Sequence, residues 1–294
     1  MTQPSITIRQ VLLEAQQKLA LISSDANEAR LEAQLLLQTA LDVDRAWLIS
    51  HENDALEANI HAVFQASLLR RLQGEPIAYI LGYREFFGLE LIVTPATLIP
   101  RPDTETLVET ALAKIPETKH CSILDLGTGT GAIALAIVKH RPHANVVAVD
   151  ASFVALEVAK NNAERLQITN VQFLTSNWFD ALEHQKFDVI VSNPPYIEQD
   201  DAHLKQGDLR FEPLNALASG IDGLDDIRQI IANCLIYLKP QGWLMLEHGY
   251  NQAEAVADLM ADVGLVDITT IQDLGGNDRV TIGKNSLIVS THWD

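Results

Sequence analysis

Hydrophobic positions in the first 75 or so residues recur every three or four places, the spacing of helices that bury one face. The pattern therefore predicts a small helical bundle over residues 1–75, with Gly74 ending its last helix. This bundle is either an appendage that adds stability or a module that docks a macromolecular substrate. The apolar positions on which the prediction rests are Val11, Leu12, Ala15, Leu19, Leu31, Leu35, Leu36, Ile60, Val63, Phe64, Leu68 and Leu72.

A different pattern follows over residues 76–100. Two β-prone runs, 85–87 and 89–93, flank Gly88, which predicts a β-hairpin within a linker. The segment Leu98–Glu105 comes next, and Asp103 or Thr104 is placed to cap the helix that begins there. We expect this loop to act as a lid over a bound ligand.

From Cys121 onward, short apolar strands alternate with helical patterns, as α/β units require. Residues 101–294 are therefore predicted to form an α/β domain with a doubly wound, mostly parallel sheet. The strands are expected near 122–126, 146–150, 171–174, 187–192, 242–247, 266–271 and 279–282. Ligands of such sheets bind at the carboxyl ends of the strands. The residues expected at or just after those ends are Gly127, Asp150, Asn177, Trp178 and Asn193.

The tetrapeptide Asn193-Pro194-Pro195-Tyr196 follows one of these strands directly. An amide or exocyclic amine nitrogen is a poor nucleophile because its lone pair is delocalised. The Asn193 side-chain oxygen and the Pro194 carbonyl can accept hydrogen bonds from such an NH2 group and favour a more pyramidal nitrogen. The prolines fix the backbone, and the Tyr196 ring offers a flat face to a planar group. The alternative is a plain Pro-Pro turn after a strand.

A glycine-rich turn, Gly127-Thr128-Gly129-Thr130-Gly131, connects an earlier strand to a helix. Its glycines permit positive φ and let a ligand approach the backbone closely. Asp150 ends the next strand, where a carboxylate can accept both hydroxyls of a ribose. Gly127, Gly129 and Ala132 also fit the looser dinucleotide fingerprint of an NAD-dependent dehydrogenase. With Asp125, Gly131 and the later Asn-Pro-Pro-Tyr, however, the pattern resembles motifs of the class I S-adenosylmethionine-dependent methyltransferases, which favours a methyltransferase instead.

Composition and charge narrow the classes of partner. The chain has 294 residues, 47% of them hydrophobic, which is enough for one large domain and a smaller companion. Its net charge of -18 opposes a nucleic-acid substrate and favours a partner with a basic surface. Residues 1–5 contain no start of a secretory leader, and no apolar run is long enough for a membrane helix, so a cytoplasmic protein is expected. Cys121 and Cys234 show no metal spacing.

Several motifs together resemble the HemK/PrmC family of protein-(glutamine-N5) methyltransferases over essentially the whole chain. They are the helical N-terminal segment, Pro76–Gly82, Leu98–Glu105, Asp125–Gly131, Asn193–Tyr196 and Gly276–Arg279. The resemblance implies a Rossmann-like class I methyltransferase fold and S-adenosyl-L-methionine as cofactor, with S-adenosyl-L-homocysteine as product. It also implies that the substrate is the Gln of the Gly-Gly-Gln motif in class I peptide chain release factors.

The same resemblance assigns roles to residues. The implied cofactor-binding residues are Gly127, Thr128, Gly129, Thr130, Gly131, Asp150, Trp178 and Asn193. Asn193, Pro194, Pro195 and Tyr196 correspond to the catalytic, glutamine-binding loop. No metal, membrane or direct nucleic-acid partner is implied. Two other substrates use the same chemistry: a glutamine of a ribosomal protein, and the N6 amine of adenine in a nucleic acid. Arg101, Glu247 and Arg279 have no role that sequence can specify.

Overall fold

The computed structural model describes residues 6–23, 25–183 and 185–287. Residues 1–5, on which the expectation about a leader depended, lie outside this part. The chain divides into two compact units, Met1–Gly82 and Tyr83–Asp294. No helix within the described ranges combines the length and the apolar character needed to cross a bilayer.

The first unit is helical, as its hydrophobic spacing predicts. Polar residues set the helix starts: Thr7 and Gln10 form a capping box, and the side chains of Asp25 and Asp44 accept hydrogen bonds from backbone N–H groups of the first turns. Buried apolar faces pack into one core around Phe64 and Leu68. The helices are α1 (Ile8–Leu19), α2 (Ala26–Leu41), α3 (Arg45–Ser50), α4 (Ala58–Leu72) and α5 (Ile77–Leu81).

Helix α5 lies where the predicted linker begins. Ile77, Ile80 and Leu81 pack against the bundle core, so the first unit continues to Gly82 rather than stopping at residue 75. Gly82 ends α5 with a positive φ of 81°. The segment Pro76–Gly82 is thus a fifth helical element of the bundle.

The second unit opens with the predicted hairpin, which is confirmed as the antiparallel strands β1 (Tyr83–Phe86) and β2 (Leu89–Ile92). Phe87 and Gly88 form the two-residue turn between them. Both have positive φ, 50° and 75°, which gives a turn whose twist matches that of the flanking strands. Phe86, Leu89 and Leu91 pack into the core of the α/β unit.

A doubly wound α/β sheet forms the rest of this unit and confirms the predicted fold class. Its strands are β3 (Cys121–Leu126), β4 (Ala144–Asp150), β5 (Val171–Thr175), β6 (Phe187–Ser192), β7 (Leu238–Glu247), β8 (Leu265–Gln272) and β9 (Asp278–Asn285). Its helices are α6 (Glu105–Lys114), α7 (Ala132–His140), α8 (Phe153–Arg165), α9 (Asp225–Tyr237) and α10 (Ala253–Asp262). Short 3-10 helices cover Pro102–Thr104, Ala202–Lys205, Gly207–Phe211 and Leu214–Ala216.

In the described ranges seven strands pair in the order β5-β4-β3-β6-β7-β9-β8. The pairs from β5 to β7 are parallel, and β9 runs antiparallel to both neighbours. One face is covered by α6, α7 and the hairpin, the other by α9 and α10. The order reverses direction between β3 and β6, and such a switch point leaves a crevice outside the carboxyl ends of the two strands.

Candidate active site

Strand register brings the two sequence motifs together. Leu126, the last residue of β3, is paired with Ser192, the last residue of β6. The Ser192 hydroxyl also donates a 2.7 Å hydrogen bond to the Leu126 carbonyl. Gly127 and Asn193 therefore leave the sheet side by side at the switch point, although 66 residues separate them in the chain.

Hydrogen bonds from the backbone N–H groups of the glycine turn tie it to the end of β4. The N–H groups of Gly127 and Thr128 both donate to the Val149 carbonyl, and the Gly129 N–H donates to Asp150 Oδ2 at 2.9 Å. Gly127 and Gly129 have φ of 72° and 55°, a region that side chains disfavour. A Cβ at Gly127 would also lie 3.4 Å from the Trp178 ring, which packs against this turn.

Two acidic residues support the turn. Asp150 Oδ1 accepts from the Ser152 N–H at 2.8 Å, and its burial raises the pKa of the carboxyl while the Ser152 and Gly129 N–H groups act in the opposite direction. Asp125 is completely buried in β3, where its Oδ2 accepts from the Thr128 hydroxyl at 2.6 Å and its Oδ1 meets no hydrogen-bond donor from the described residues. Burial raises the pKa of Asp125 to about 7.

A cavity of about 500 Å³ lies above these strand ends, within the range of small-molecule sites. Its walls include the sequence-predicted residues Gly127, Gly129, Asp150, Trp178, Asn193 and Pro195. Residues 95–98 also line it, as do Pro213, Asn215 and Ala216 around a short 3-10 helix. Thr128, Thr130 and Gly131 are buried behind this surface, so they shape the turn rather than line the cavity.

A second, smaller cleft of about 70 Å³ adjoins the first. Pro194 and Tyr196 line this cleft and are absent from the walls of the larger cavity within the described residues. The residues that line both are Leu98, Asn193, Pro195 and Ala216. A molecule in the cavity and a side chain in the cleft would therefore meet at Asn193.

The Asn193 side chain has a defined partner. Its Nδ2 donates to the Thr104 hydroxyl oxygen at 3.1 Å. Thr104 precedes α6, as predicted, but its side chain makes no hydrogen bond to the helix, so the expected cap is wrong. Nor does Asp103 occupy the cap position, because it lies inside the preceding 3-10 helix. This bond uses one of the two Nδ2 hydrogens, and the Asn193 Oδ1 accepts no hydrogen bond from the described residues, so it is available to a ligand.

Behind the cleft lies a buried carboxylate. The Tyr196 hydroxyl donates to Glu247 Oε1 at 3.3 Å, and Glu247 is completely buried at the end of β7. Burial raises the pKa of Glu247 to about 7, against the influence of the Thr104 hydroxyl, the Arg279 guanidinium and the Tyr196 hydroxyl. Burial together with the Glu247 charge raises the pKa of Tyr196. Tyr196 is therefore a neutral hydrogen-bond donor at physiological pH.

Two arginines anchor the loops around the cleft. Arg101, which lines the cleft, pairs with the buried Glu212, whose other oxygen accepts from the Ile99 N–H at 3.0 Å. Arg279 bridges Asp273 at 3.1 Å and Asp103 at 3.4 Å. The loop before α6 is thus tied to the segment after β6 by one ion pair and to the start of β9 by the other.

Comparisons with known proteins agree with this geometry. The Methyltransferase small domain model matches residues 103–209, and the PrmC N-terminal domain model matches residues 10–82. A release factor glutamine methyltransferase of Xylella fastidiosa strain Temecula1 is 51% identical over 87% of this chain and 93% of its own. The same enzyme of Escherichia coli K12 is 48% identical over 87% and 92%.

The chain belongs to the release factor glutamine methyltransferase family. Among solved structures, a methyltransferase from Pyrococcus furiosus aligns with a TM-score of 0.52 and 20% identity, covering 76% of this chain and 98% of that one. At this identity the likeness concerns the fold, and it agrees with a methyltransferase sheet.

Sequence reasoning missed the groups that hold the family's motif residues in place. Glu212 lies in an irregular segment without periodicity, and nothing in its neighbourhood distinguishes it from a surface glutamate. Asp226, whose Oδ1 accepts from Trp178 Nε1 at 3.2 Å, stands beside Asp225 in a helix that is acidic at its start. Of these three residues, only Glu247 could be suspected from the sequence, because it ends a predicted strand at the ligand-binding edge of the sheet.

Proposed function

We propose that this protein transfers a methyl group from S-adenosyl-L-methionine to the side-chain amide nitrogen of a glutamine. The substrate would be the Gly-Gly-Gln motif of class I peptide chain release factors, in the cytoplasm where translation ends. The observation that carries the proposal is the junction of the larger cavity with the small cleft at Asn193. Membership of the family supports the identity of the substrate.

Charge supports the cofactor. Asp150 and Asp226 line the larger cavity, and within the described ranges none of its lining residues is Lys, Arg or His. S-adenosyl-L-methionine carries a positive sulfonium and an ammonium group, which such an acidic cavity favours. Asp150 would accept the ribose hydroxyls, since each carboxylate oxygen has a lone pair beyond those used by Ser152 and Gly129.

The backbone of the glycine turn argues against the dinucleotide alternative. A pyrophosphate needs several unused N–H groups directed at it. Here the N–H groups of Gly127, Thr128 and Gly129 already donate to Val149 and Asp150, and the Gly131 N–H donates to the Thr128 carbonyl. An NAD-dependent dehydrogenase would have to break these bonds, whereas a ribose and a methionine portion would not.

In the cleft proposed for the substrate, the residues would act by holding the glutamine amide in a fixed position. Asn193 Oδ1 and the Pro194 carbonyl would accept the two hydrogens of the glutamine NH2, which turns its lone pair toward the cavity. The cofactor supplies a methyl group on sulfur that is already an activated electrophile. Holding the nitrogen in line with that methyl is the main contribution of the protein, and such positioning is worth several orders of magnitude in rate. The proton leaves the nitrogen after transfer.

The size of the cleft favours an amide over a nucleobase. About 70 Å³ between Leu98, Tyr196 and Leu217 suits the planar end of a glutamine, and Arg101 is the single cation among the described lining residues. A strand of nucleic acid would also need a basic path along its phosphates, which a net charge of -18 opposes. A glutamine of a ribosomal protein is the second candidate, because the same cleft would accept it.

The N-terminal helical unit is proposed to dock the protein substrate. Exposed apolar side chains on its helices support this role, among them Leu13, Leu31, Val63 and Leu69. The sequence-based division into a bundle at 1–75, a linker at 76–100 and a transferase domain at 101–294 is kept as a proposal about function, with the compact unit extending to Gly82.

The test is transfer of radiolabelled methyl from S-adenosyl-L-methionine. The substrates are an intact release factor, its Gln-to-Ala variant in the Gly-Gly-Gln motif, a ribosomal protein and adenine-containing DNA. We expect label on the intact release factor and none on its variant. Label on the ribosomal protein alone would move the activity to the second candidate, and label on DNA alone would overturn the glutamine assignment.

A further inference from the structure

We infer that Thr104 is a positioning residue for the transfer reaction: its hydroxyl oxygen holds the Asn193 amide so that Oδ1, and not the NH2 group, faces the substrate nitrogen. The inference rests on the proposed function, since it concerns how Asn193 receives an NH2 group. It adds to the reaction a residue that lies 89 positions before Asn193 in the chain.

The conformation of Thr104 separates this role from helix capping. A residue that caps a helix has an extended backbone and accepts a hydrogen bond from the first turn. Thr104 instead has φ -65° and ψ -19°, and its side chain makes no capping bond to α6. Its hydroxyl is buried and turned to Asn193 Nδ2, at 3.1 Å. The side chain therefore serves the site rather than the helix that it precedes.

The direction of the hydrogen bond follows from the two atoms that meet. Asn193 faces Thr104 with its amide nitrogen Nδ2, which can only donate, so the Thr104 hydroxyl oxygen is the acceptor. The Thr104 hydroxyl also favours the charged form of the buried Glu247 carboxyl, which agrees with a hydroxyl hydrogen directed away from Asn193. Asn193 can therefore meet this oxygen only with its NH2 group.

This orientation matters because the torsion of an Asn amide is broad, with two orientations that exchange O and NH2. A flipped amide would direct its NH2 at the substrate NH2, placing two donors against each other. Removing the Thr104 acceptor would therefore let part of the enzyme adopt an arrangement that cannot hold the substrate nitrogen. The walls of the cofactor cavity formed by Asp150 and Trp178 would be unchanged.

Thr104 is itself held in place by neighbouring charges. Asp103, the preceding residue, pairs with Arg279 at 3.4 Å, and Arg279 pairs with Asp273 at 3.1 Å. The charged and titratable groups around Glu247 and Thr104 are thus Tyr196, Arg279 and Asp103. None of these three groups forms a hydrogen bond with Asn193. Among the described residues, Thr104 is therefore the one hydrogen-bond partner of the Asn193 side chain.

The experiment measures single-turnover methyl transfer to a release factor by the full chain and its variants. Thr104→Val removes the acceptor with little change in shape, and Thr104→Ser keeps it. Thr110→Val is the matched control, because the Thr110 hydroxyl bonds only the Thr106 carbonyl within α6. We expect Thr104→Val to slow transfer by about 10- to 30-fold, which is the order of one lost positioning bond. Thr104→Ser should stay within about threefold and Thr110→Val within about twofold.

A double-mutant cycle with Asn193→Ala separates positioning from general damage. If Thr104 acts through Asn193, Thr104→Val should change the rate by less than about twofold once Asn193 is absent, since the two effects are then not additive. Affinity for S-adenosyl-L-methionine, measured by calorimetry, should stay within about twofold in the Thr104 variants and in the Thr110→Val control. Full additivity in the cycle would show an independent effect and would overturn the inference.

The remaining outcomes are also decisive. Transfer by Thr104→Val at the rate of the unaltered protein would contradict the positioning role, whereas failure of the unaltered protein to label any release factor would contradict the proposed function instead. If Thr104→Val loses its cooperative thermal unfolding, Thr104→Ala takes its place in the cycle, because it removes the hydroxyl without a second methyl in the buried site.

Discussion

The two halves of the site are built in different ways. The cavity proposed for the cofactor is centred on a backbone turn, whose N–H groups donate to the Val149 carbonyl and to the Asp150 side chain at the end of the neighbouring strand β4. The cleft proposed for the substrate is formed by side chains from distant segments, with Asn193 held by Thr104, Tyr196 by Glu247, and Arg101 by Glu212. We therefore expect the cofactor half to depend on its turn and on Asp150, and the substrate half to depend on each member of its side-chain pairs.

The sharpest way to test this contrast is Asn193→Ala. We expect turnover to fall by about two to three orders of magnitude, the cost of losing one preorganised polar group in a site. Affinity for S-adenosyl-L-methionine should change comparatively little, because the rest of the cavity remains. The measurements are transfer rate and calorimetric binding, with Asn233→Ala on the exposed face of α9 as control. Activity within a few fold of the original would remove Asn193 from the reaction.

Asp150→Ala is expected to weaken cofactor binding more than it lowers turnover, which is the reverse of Asn193→Ala. Its carboxylate supports the turn through Gly129 and is proposed to hold the ribose. Loss of charged hydrogen bonds should weaken cofactor binding by about 10- to 100-fold, while saturating cofactor restores much of the turnover. Asp262→Ala at the exposed end of α10 is the control. Unchanged affinity would contradict a ribose role.

A smaller effect is expected at the entrance to the cleft. Arg101→Met leaves Glu212 buried without its cation, which loosens the loop that carries Ile99. The KM for the release factor should rise by about three- to tenfold with cofactor affinity unchanged. Arg165→Met breaks the exposed pair with Glu90 and should change neither value. If both variants behave alike, the buried pair does not shape the cleft.

The smallest effect concerns stability and pH. Burial raises the pKa of Glu247 from 4.5 to about 7, so between these values the folded protein holds a proton that the unfolded chain has released. The free energy of unfolding should therefore fall as pH rises from about 4.5 to about 7, with no further loss from this group above that. Glu247→Gln should reduce this fall by about 1–3 kcal/mol. Urea unfolding at pH 4.5, 6, 7 and 8 measures this free energy for both proteins. The same pH dependence in Glu247→Gln and in the original protein would show that another group titrates.

Sequence predicted the backbone half of the site more completely than the side-chain half. The turn at Gly127 and the strand-ending Asp150 follow from local spacing, because they lie within one strand-helix-strand unit. The partners of Asn193 and Tyr196 could not be predicted, since Thr104 and Glu247 become neighbours only when the sheet assembles. Helix α5 was missed for a similar reason: its apolar residues suit a strand as well as a helix, and packing on the bundle decides between them.

The irregular segment between β6 and α9, residues 193–224, has a further consequence. It supplies Leu209, Ala216 and Leu217 to the cleft and Glu212 to the entrance, and it contributes no strand to the main sheet. Beyond Asn193–Tyr196, changes in the length or sequence of this segment would leave the strand pairing of the main sheet intact. Such changes would reshape the cleft, whereas the glycine turn and Asp150 would keep their places at the ends of β3 and β4.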